Sequence, residues 1–175
     1  MTAGASTGPV TIRRATTGDA ESMRAIYNHE VQGFLTTTDI VPRSLDEQRT
    51  WISERSGAFA AVVAVLGDGS DDEQVVGFAS LSKFKERPAY STTVENSVYV
   101  SRAHGGLGIG RALMERLIAD ARDGGFHSII ARVEASSEAS RALHRALGFE
   151  LVGVERQVAR KFGRWLDMAI LQLML

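Results

Sequence analysis

The glycine-rich stretch His104-Gly-Gly-Leu-Gly-Ile-Gly-Arg111 has the residue types and spacing that point most directly to chemistry. Glycines let backbone N–H groups converge on one point without obstruction by Cβ atoms. A helix that begins directly behind them adds unpaired N–H donors and the positive end of its dipole. The stretch therefore predicts a site for a phosphate or pyrophosphate group, to which the Arg111 side chain can add a cation.

Two common phosphate-binding motifs do not fit this stretch. Counted from Gly106 and Gly108, a dinucleotide fingerprint requires a third glycine where the chain has Arg111. A P-loop requires Lys and then Ser or Thr after its last glycine, but Arg111-Ala112 follows Gly110. An ordinary glycine-rich turn between a strand and a helix remains the alternative, so the loop alone does not identify a ligand.

Composition excludes several classes of function. The 175 residues contain no cysteine, which rules out disulfides, thiolate metal sites and a catalytic Cys. The formal net charge of −1 gives no electrostatic reason to expect nucleic acid or an anionic membrane as a partner. His29 and His127 lack metal-ligand spacing, so no metal is expected. Without a signal-peptide pattern at the N-terminus, we expect a cytoplasmic protein.

The elements that must position the loop follow from periodicity and capping signals. Thr17 caps a first helix, and Ser44-Leu-Asp-Glu47 has the spacing of a capping box that opens a second. Later helices are predicted from about Gly108 to Gly124 and from about Glu138 to Leu147. Residues rich in β-formers predict seven strands, at 10–13, 59–66, 74–81, 94–101, 128–133, 149–158 and 165–173. The order β-α-α-β-β-β-α-β-α-β-β predicts an α/β (α+β) domain with a largely antiparallel sheet.

Three strings together resemble the GNAT superfamily of acetyltransferases: Ser97-Val-Tyr-Val100, the glycine loop, and Leu143-His-Arg-Ala-Leu-Gly-Phe149. Within it the chain is most similar to the phosphinothricin and methionine sulfone or sulfoximine N-acetyltransferases. That similarity is carried by Tyr27-Asn28-His29, by Thr93-Val-Glu-Asn-Ser-Val-Tyr-Val100 and by Lys161-Phe-Gly-Arg-Trp-Leu-Asp167.

The resemblance implies a fold and a domain organisation. The GNAT fold is a mixed, mostly antiparallel sheet of six or seven strands flanked by about four helices. Its fourth and fifth strands splay apart to admit acetyl-CoA. We expect residues 9–175 to form this one domain and residues 1–8 to be a flexible tail.

The resemblance also assigns the residues that bind acetyl-CoA. One strand hydrogen-bonds the pantetheine arm through its backbone, and the loop after it holds the pyrophosphate. Ser137 stands where the family usually has an Asn that contacts pantetheine, and Gly105 replaces a usual Gln or Arg. The cofactor-binding set is Val98, Tyr99, Val100, Gly105, Gly106, Leu107, Gly108, Ile109, Gly110, Arg111 and Ser137.

Two side chains are catalytic candidates by the same resemblance. Glu95 falls at the position of the general base in the phosphinothricin enzymes, and burial can tune a carboxylate for that role. Its alternative is an exposed strand carboxylate. His144 falls where relatives carry the acid that protonates the departing thiolate. Its alternative is a helical histidine satisfied by a backbone carbonyl or by solvent.

The acceptor pocket is implied less directly. Lys85, Arg87 and Tyr90 lie on the segment that shapes this pocket in the phosphinothricin enzymes, and arginine is a natural bidentate partner for a carboxylate. Lys85 and Arg87 can equally belong to a solvated loop. Phe162 and Trp165 can supply apolar walls. Thr38 and Ser91 stand where relatives carry an aromatic residue and an Arg, and these two differences leave the natural acceptor open.

The predicted function is transfer of acetyl from acetyl-CoA to the amine of a small amino-acid-like acceptor, by direct attack in a ternary complex. Two alternatives remain open at this point. One is a GNAT enzyme acting on peptide N-termini or protein lysines, and the other is a non-catalytic acyl-CoA sensor. Because relatives commonly dimerise, we expect a homodimer.

Overall fold

A computed structural model describes residues 8–67 and 73–175, and these form the predicted order of strands and helices. Residues 1–7 of the predicted tail and most of the predicted turn at 67–72 lie outside the described residues. The strands are β1 (Val10–Arg14), β2 (Val62–Leu66), β3 (Gln74–Lys83), β4 (Thr93–Val100), β5 (Ser128–Glu134), β6 (Glu150–Lys161) and β7 (Arg164–Met174). The helices are α1 (Ala20–Gly33), α2 (Leu45–Ser53), α3 (Ile109–Asp123) and α4 (Glu138–Ala146).

The strands form one sheet in the order β1-β2-β3-β4-β5-β7-β6. In the part of the chain that the structure describes, β4 and β5 are the only parallel neighbours, and all other pairs are antiparallel. A mixed, mostly antiparallel sheet was predicted, and so was the β2–β3 hairpin, in which Val62 pairs with Ala79. Both predictions are confirmed.

Each face of the sheet is covered by its own pair of helices. Met23 and Tyr27 of α1 pack with Phe78 on one face, and Leu113 and Leu117 of α3 are fully buried against the other. Burying an aliphatic or aromatic side chain of this size contributes about 1.5–3 kcal/mol. No helix within residues 8–67 and 73–175 has the length and apolar character needed to cross a membrane.

The boundaries differ from the sequence prediction at two places. Thr17–Asp19 forms a 3₁₀ turn, and the α-helix begins at Ala20. Gly57–Phe59 also forms a 3₁₀ turn, so β2 begins at Val62 rather than at Phe59. Gly57 has a φ of +58°, which breaks the strand, and the Phe59 ring packs against Phe126 instead. The capping box of α2 is confirmed.

The predicted splay lies between β4 and β5. The two strands pair only over Thr93–Glu95, which face Ser128–Ile130. From Asn96 onward β4 keeps β3 on one side but has no strand on the other among the described residues, while β5 continues along β7. Glu95 is therefore the last residue of β4 before the gap opens.

Candidate active site

A cleft of about 1120 Å³ passes through this gap and reaches both faces of the sheet. On one face it is lined by Tyr27 and Trp51 of the first two helices, and on the other by Leu143 and His144 of α4. Most of the residues predicted from the sequence line it: Glu95, Val98, Tyr99, Val100, Gly105, Gly106, Gly108, Ile109, Gly110, Ser137 and His144. The structure thus brings the predicted catalytic residues and most of the cofactor set into one cavity.

The glycine loop ends as an open cradle at the start of α3. Gly106 and Gly108 have φ angles of +77° and +76°, which L side chains rarely adopt, and a Cβ at either would meet open space. None of the amides from Gly106 to Arg111 donates to an acceptor in the described part of the chain; the first helical bond runs from Ala112 N to Gly108 O. Six consecutive free donors at a helix N-terminus suit a pyrophosphate group.

The exposed edge of β4 supplies the second set of backbone groups. In a paired strand, alternate residues direct their N–H and C=O groups to opposite neighbours. With β5 absent beyond Glu95, the groups on that side of residues 96–100 face the cleft. Because buried backbone groups need partners, an extended arm bound there would complete the sheet. This arrangement fits the backbone roles predicted for Val98 and Val100.

Glu95 lies half-buried in the cleft at the narrow end of the gap. Burial raises the pKa of its carboxyl group above the ordinary glutamate value, Glu155 raises it further, and Arg132 lowers it. Its direct neighbour across the strand pair is Ser82 of β3. The half-buried position and raised pKa suit a general base better than a fully solvated carboxylate would.

His144 is almost completely buried, and two hydrogen bonds fix its ring. Nδ1 lies 2.8 Å from the Ser140 carbonyl, which can only accept, so Nδ1 carries a proton. Nε2 lies 3.0 Å from Asn96 Nδ2 and accepts from it in the neutral ring. Burial lowers the pKa of His144, and the Ser140 bond opposes this only partly. The resting imidazole is therefore neutral, with its Nε2 lone pair toward Asn96.

Glu95 and His144 lie on opposite faces of the sheet. Successive side chains of a strand alternate between faces, so Glu95 and Asn96 point to opposite sides. His144 contacts Asn96 on the side of α3 and α4. Glu95 shares its side with Ser82 and with Tyr99, which packs against Tyr27 of α1. A reaction centre threaded through the gap would touch both groups.

Several predicted residues lie outside the cleft lining. Arg111 directs its guanidinium away to Glu115 at 2.8 Å, and Leu107 is exposed. Lys85 lies over the rings of Phe84 and Tyr90 on the surface. Tyr90 belongs to the predicted set too and is exposed, and so are the remaining three residues, Arg87, Phe162 and Trp165. The structure does not bring these side chains to the cavity, and their predicted binding roles stay predictions.

The cleft also contains a basic cluster that was not predicted from the sequence; it is formed by Arg43, Trp51 and Arg55, and we call it the arginine cluster. The Arg55 guanidinium lies 4.0 Å and that of Arg43 5.2 Å from the centroid of the Trp51 ring. All three residues line the cleft. The i,i+4 spacing of Trp51 and Arg55 at the end of α2 was the available signal, but nothing in the sequence placed that end beside β3.

An ion pair and a buried lysine fix the segment between α1 and α2. Arg102 forms a bidentate pair with the buried Glu30, both contacts at 2.8 Å. Lys161 Nζ, on β6, donates to the Thr37 carbonyl at 2.8 Å and to the Glu30 carbonyl at 3.4 Å. Burial lowers the pKa of Lys161. Lys161 belongs to one of the sequence strings that carry the family resemblance, and these contacts show what a lysine at this position does in the structure.

Among the described residues there is no group of three or more potential metal ligands.

Comparison with known proteins identifies the family. The family model described as the acetyltransferase (GNAT) domain matches residues 12–170. The L-methionine sulfoximine/L-methionine sulfone acetyltransferase of Salmonella typhimurium is 37% identical over 166 residues, covering 95% of each protein. The phosphinothricin N-acetyltransferase of Streptomyces coelicolor is 34% identical over 165 residues, covering 93% of this chain and 95% of the relative.

A solved structure agrees with both sequence relatives. The GNAT superfamily phosphinothricin acetyltransferase of Sinorhizobium meliloti, in complex with acetyl-CoA, superposes with a TM-score of 0.87 at 37% identity. The match covers 95% of this chain and 88% of that chain. The predicted fold class and the predicted enzyme class, an acetyl-CoA-dependent N-acetyltransferase, are confirmed. The chain belongs to the GNAT acetyltransferase family.

Proposed function

We propose that the protein transfers the acetyl group of acetyl-CoA to the amino group of a small, amino-acid-like acceptor by direct attack in a ternary complex. The observation that carries the proposal is the position of Glu95. It is the last paired residue of β4, at the point where the gap joins the two faces of the sheet. A base at this point can serve an amine on one face that attacks a thioester reaching through from the other.

The donor half of the site is proposed on the side of α3 and α4. The six free amides of the glycine loop offer donors for the pyrophosphate, and the open edge of β4 offers partners for the pantetheine arm. The acetyl-CoA complex of the Sinorhizobium meliloti relative supports this donor. Backbone donors on β4 would polarise the thioester carbonyl as negative charge develops on its oxygen.

The acceptor half is proposed on the side of α1 and α2. An amine is mostly protonated near neutral pH and cannot attack until it loses that proton. Glu95, with its raised pKa, accepts the proton directly or through one water. The names of the two curated relatives, which refer to phosphinothricin and to methionine sulfoximine or sulfone, support an amino-acid-like acceptor.

His144 is proposed to serve the departing sulfur. Since the resting ring is neutral and its Nε2 lone pair accepts from Asn96, Nε2 must release Asn96 and accept a proton before it can give one. The second proton lost by the amine nitrogen supplies it, and Nε2 then passes it to the sulfur as the C–S bond breaks. The N–C bond forms, free CoA leaves as a thiol, and the first proton departs from Glu95 to solvent.

An acceptor screen that follows CoA release tests the proposed function. With acetyl-CoA saturating, we expect rapid turnover of phosphinothricin, methionine sulfone or methionine sulfoximine, and slow turnover of peptides and aminoglycosides. Double-reciprocal plots should intersect, because no acetyl-enzyme is needed. Preference for peptides or protein lysines would instead support the first alternative. Acetyl-CoA binding with no turnover of any amine would support the sensor.

A homodimer is also proposed, with support from the edge strand β6. Leu151, Val152, Val154 and Val158 on this strand are about half exposed, an unusual concentration of apolar surface. Pairing two copies through this edge would cover it. We expect sedimentation at twice the 18.9 kDa chain mass, and a shift toward monomer for Val152→Lys. A wild-type protein that sediments as a monomer at micromolar concentration would contradict the dimer.

A cytoplasmic location stays a prediction of the sequence.

A further inference from the structure

The arginine cluster places two cations in the cleft, and neither forms an ion pair within residues 8–67 and 73–175. The hydrogen bonds that the two guanidinium groups make within the described residues end on neutral acceptors. Arg43 donates to Gln48 at 3.3 Å, and Arg55 donates to the Leu81 carbonyl at 3.2 Å and to Ser82 Oγ at 3.3 Å. The buried Nε of Arg55 has no partner there. Burial lowers the pKa of both guanidinium groups, as expected of cations held partly out of water.

The surrounding residues hold this charge in place. Asn28 brackets the backbone of Arg43, accepting from its N–H and donating to its carbonyl, both at 2.8 Å. The Arg43 guanidinium lies 3.9 Å from the centroid of the Tyr27 ring, and Trp51 lies beneath Arg55. The Asp39 carboxylate attracts Arg43 from farther away and offsets part of the charge. Glu47 also attracts Arg43, and Glu54 attracts Arg55. Within the described residues, however, the hydrogen bonds of both guanidinium groups end on neutral acceptors.

The arginine cluster lies beside the proposed base. Arg55 donates to Ser82 Oγ, and Ser82 pairs directly with Glu95 across β3 and β4. Side chains of directly opposed residues share a face, with Cβ atoms about 4.5–5.5 Å apart. An anion bound to Arg55 is therefore within a few ångströms of an amine that gives its proton to Glu95. In an α-amino acid, the carboxylate and the amine have this close spacing.

We propose that the arginine cluster binds the α-carboxylate of the acceptor and so selects free amino acids over peptide N-termini and amines without an adjacent acid. The proposal rests on the proposed function and names its substrate class. Arginine presents a planar fork that matches a carboxylate, and Trp51 keeps one fork oriented. It assigns carboxylate recognition to residues other than Lys85 and Arg87, which lie outside the cleft.

The test compares methionine sulfone with its neutral α-carboxamide. The first measurement is calorimetric binding of each compound to the protein saturated with CoA, and the second is turnover with acetyl-CoA. Because charge-assisted hydrogen bonds are at stake, we expect the wild type to bind the acid about tenfold to a hundredfold more tightly than the amide. Arg43→Gln and Arg55→Gln should each reduce this ratio about tenfold, and acetyl-CoA affinity should not change.

Control variants distinguish a loss of folding from a loss of the positive charge or of the guanidinium fork. Arg55→Lys keeps the cation but loses the fork, so we expect an intermediate ratio. Arg49→Gln removes an exposed arginine of α2, where it pairs with Asp46, and should leave the ratio unchanged. Thermal unfolding identifies any variant that does not fold. If one of the two Arg→Gln variants does not fold, the other decides the question.

The experiment distinguishes a failure of the arginine-cluster assignment from a failure of the proposed function. Equal binding of acid and amide to the wild type, or a ratio that survives Arg43→Gln and Arg55→Gln, overturns the assignment of the arginine cluster. If the preference for the acid over the amide were lost in Arg87→Gln instead, carboxylate recognition would belong to the segment that contains Lys85, Arg87 and Tyr90. Selective binding of the acid without its acetylation supports the anion site and overturns the proposed function.

Discussion

Replacing Glu95 by Gln is expected to lower kcat by about 10²–10⁴-fold, the usual contribution of general-base catalysis. Gln keeps the size and hydrogen-bonding reach of Glu but cannot take a proton from the ammonium group of the acceptor. Affinity for acetyl-CoA should not change, because the proposed donor contacts come from backbone groups beyond Glu95. The rate should recover in part at high pH, where more free amine is present. Steady-state kinetics with a saturating acceptor measure the loss.

The pH dependence follows from the raised pKa of Glu95. The base must be ionised, so the rate rises with pH through a pKa above the ordinary glutamate value. The pKa of the folded state exceeds that of the unfolded state, so this group's contribution to stability is complete below the unfolded pKa and is lost as pH rises through the folded one. Glu95→Gln should therefore be at least as stable as wild type at neutral pH.

Controls separate a base from a structural carboxylate. Glu150→Gln, on the exposed start of β6, should leave kcat unchanged.

His144→Gln, like Glu95→Gln, should lower kcat without weakening acetyl-CoA binding, because Gln cannot relay a proton. Near-normal kcat for Glu95→Gln from about pH 6 to 9 would show that an ordered water or another group is the base.

Replacing Gly110 by Val is expected to weaken acetyl-CoA binding by about 10²-fold or more. A Cβ at this position would lie 3.3 Å from Leu143 Cδ2 and 3.7 Å from Val100 Cγ2, between the end of β4 and α4. The valine methyl groups would extend into the space through which a bound pantetheine arm must pass to reach the loop amides. Losing two charge-assisted hydrogen bonds, at about 1.5 kcal/mol each, accounts for the magnitude.

Calorimetric titration with acetyl-CoA measures this loss. Gly33→Val provides the matched control, because a Cβ at Gly33 meets nothing within 4 Å and the residue is not part of the cleft lining. That variant should bind acetyl-CoA as wild type does. If Gly110→Val bound acetyl-CoA with undiminished affinity, the loop would not be the cofactor site and the donor half would need a different location.

The sequence was sufficient where local signals agree with tertiary structure. Ser44 and Glu47 form the expected capping box, and the glycine loop lies between β4 and α3 as predicted. The resemblance to the family supplied the splay and the predicted roles of Glu95 and His144, which periodicity alone does not contain. The splay is seen in the structure, and the two roles stay predictions. The boundary at Phe59 was wrong because a positive φ at Gly57 and packing against Phe126 override β propensity.

The acceptor side was less predictable because it depends on contacts between distant parts of the chain. Arg43 is placed by Asn28, and Arg55 by Leu81 and Ser82 of β3. None of these pairings has a local signal. The protonation of His144 is a similar case, since burial lowers its pKa and the partner of its Nε2, Asn96, is 48 residues away in the chain. The resemblance implied an acid at His144, whereas the resting structure holds an unprotonated Nε2.

The splay between β4 and β5 has a consequence for how such a protein can diversify. In the proposed site, acceptor contacts come mainly from residues before Glu95, and donor contacts come from residues after it. A single genetic crossover in the surface segment between Lys83 and Thr93 would exchange nearly the whole acceptor half and keep the donor half intact. Two later residues also serve the acceptor half: Glu95, as the proposed base, and Lys161, which reaches back to the Thr37 carbonyl. New acceptor specificities can thus be inherited as a block, provided that the second block keeps this lysine.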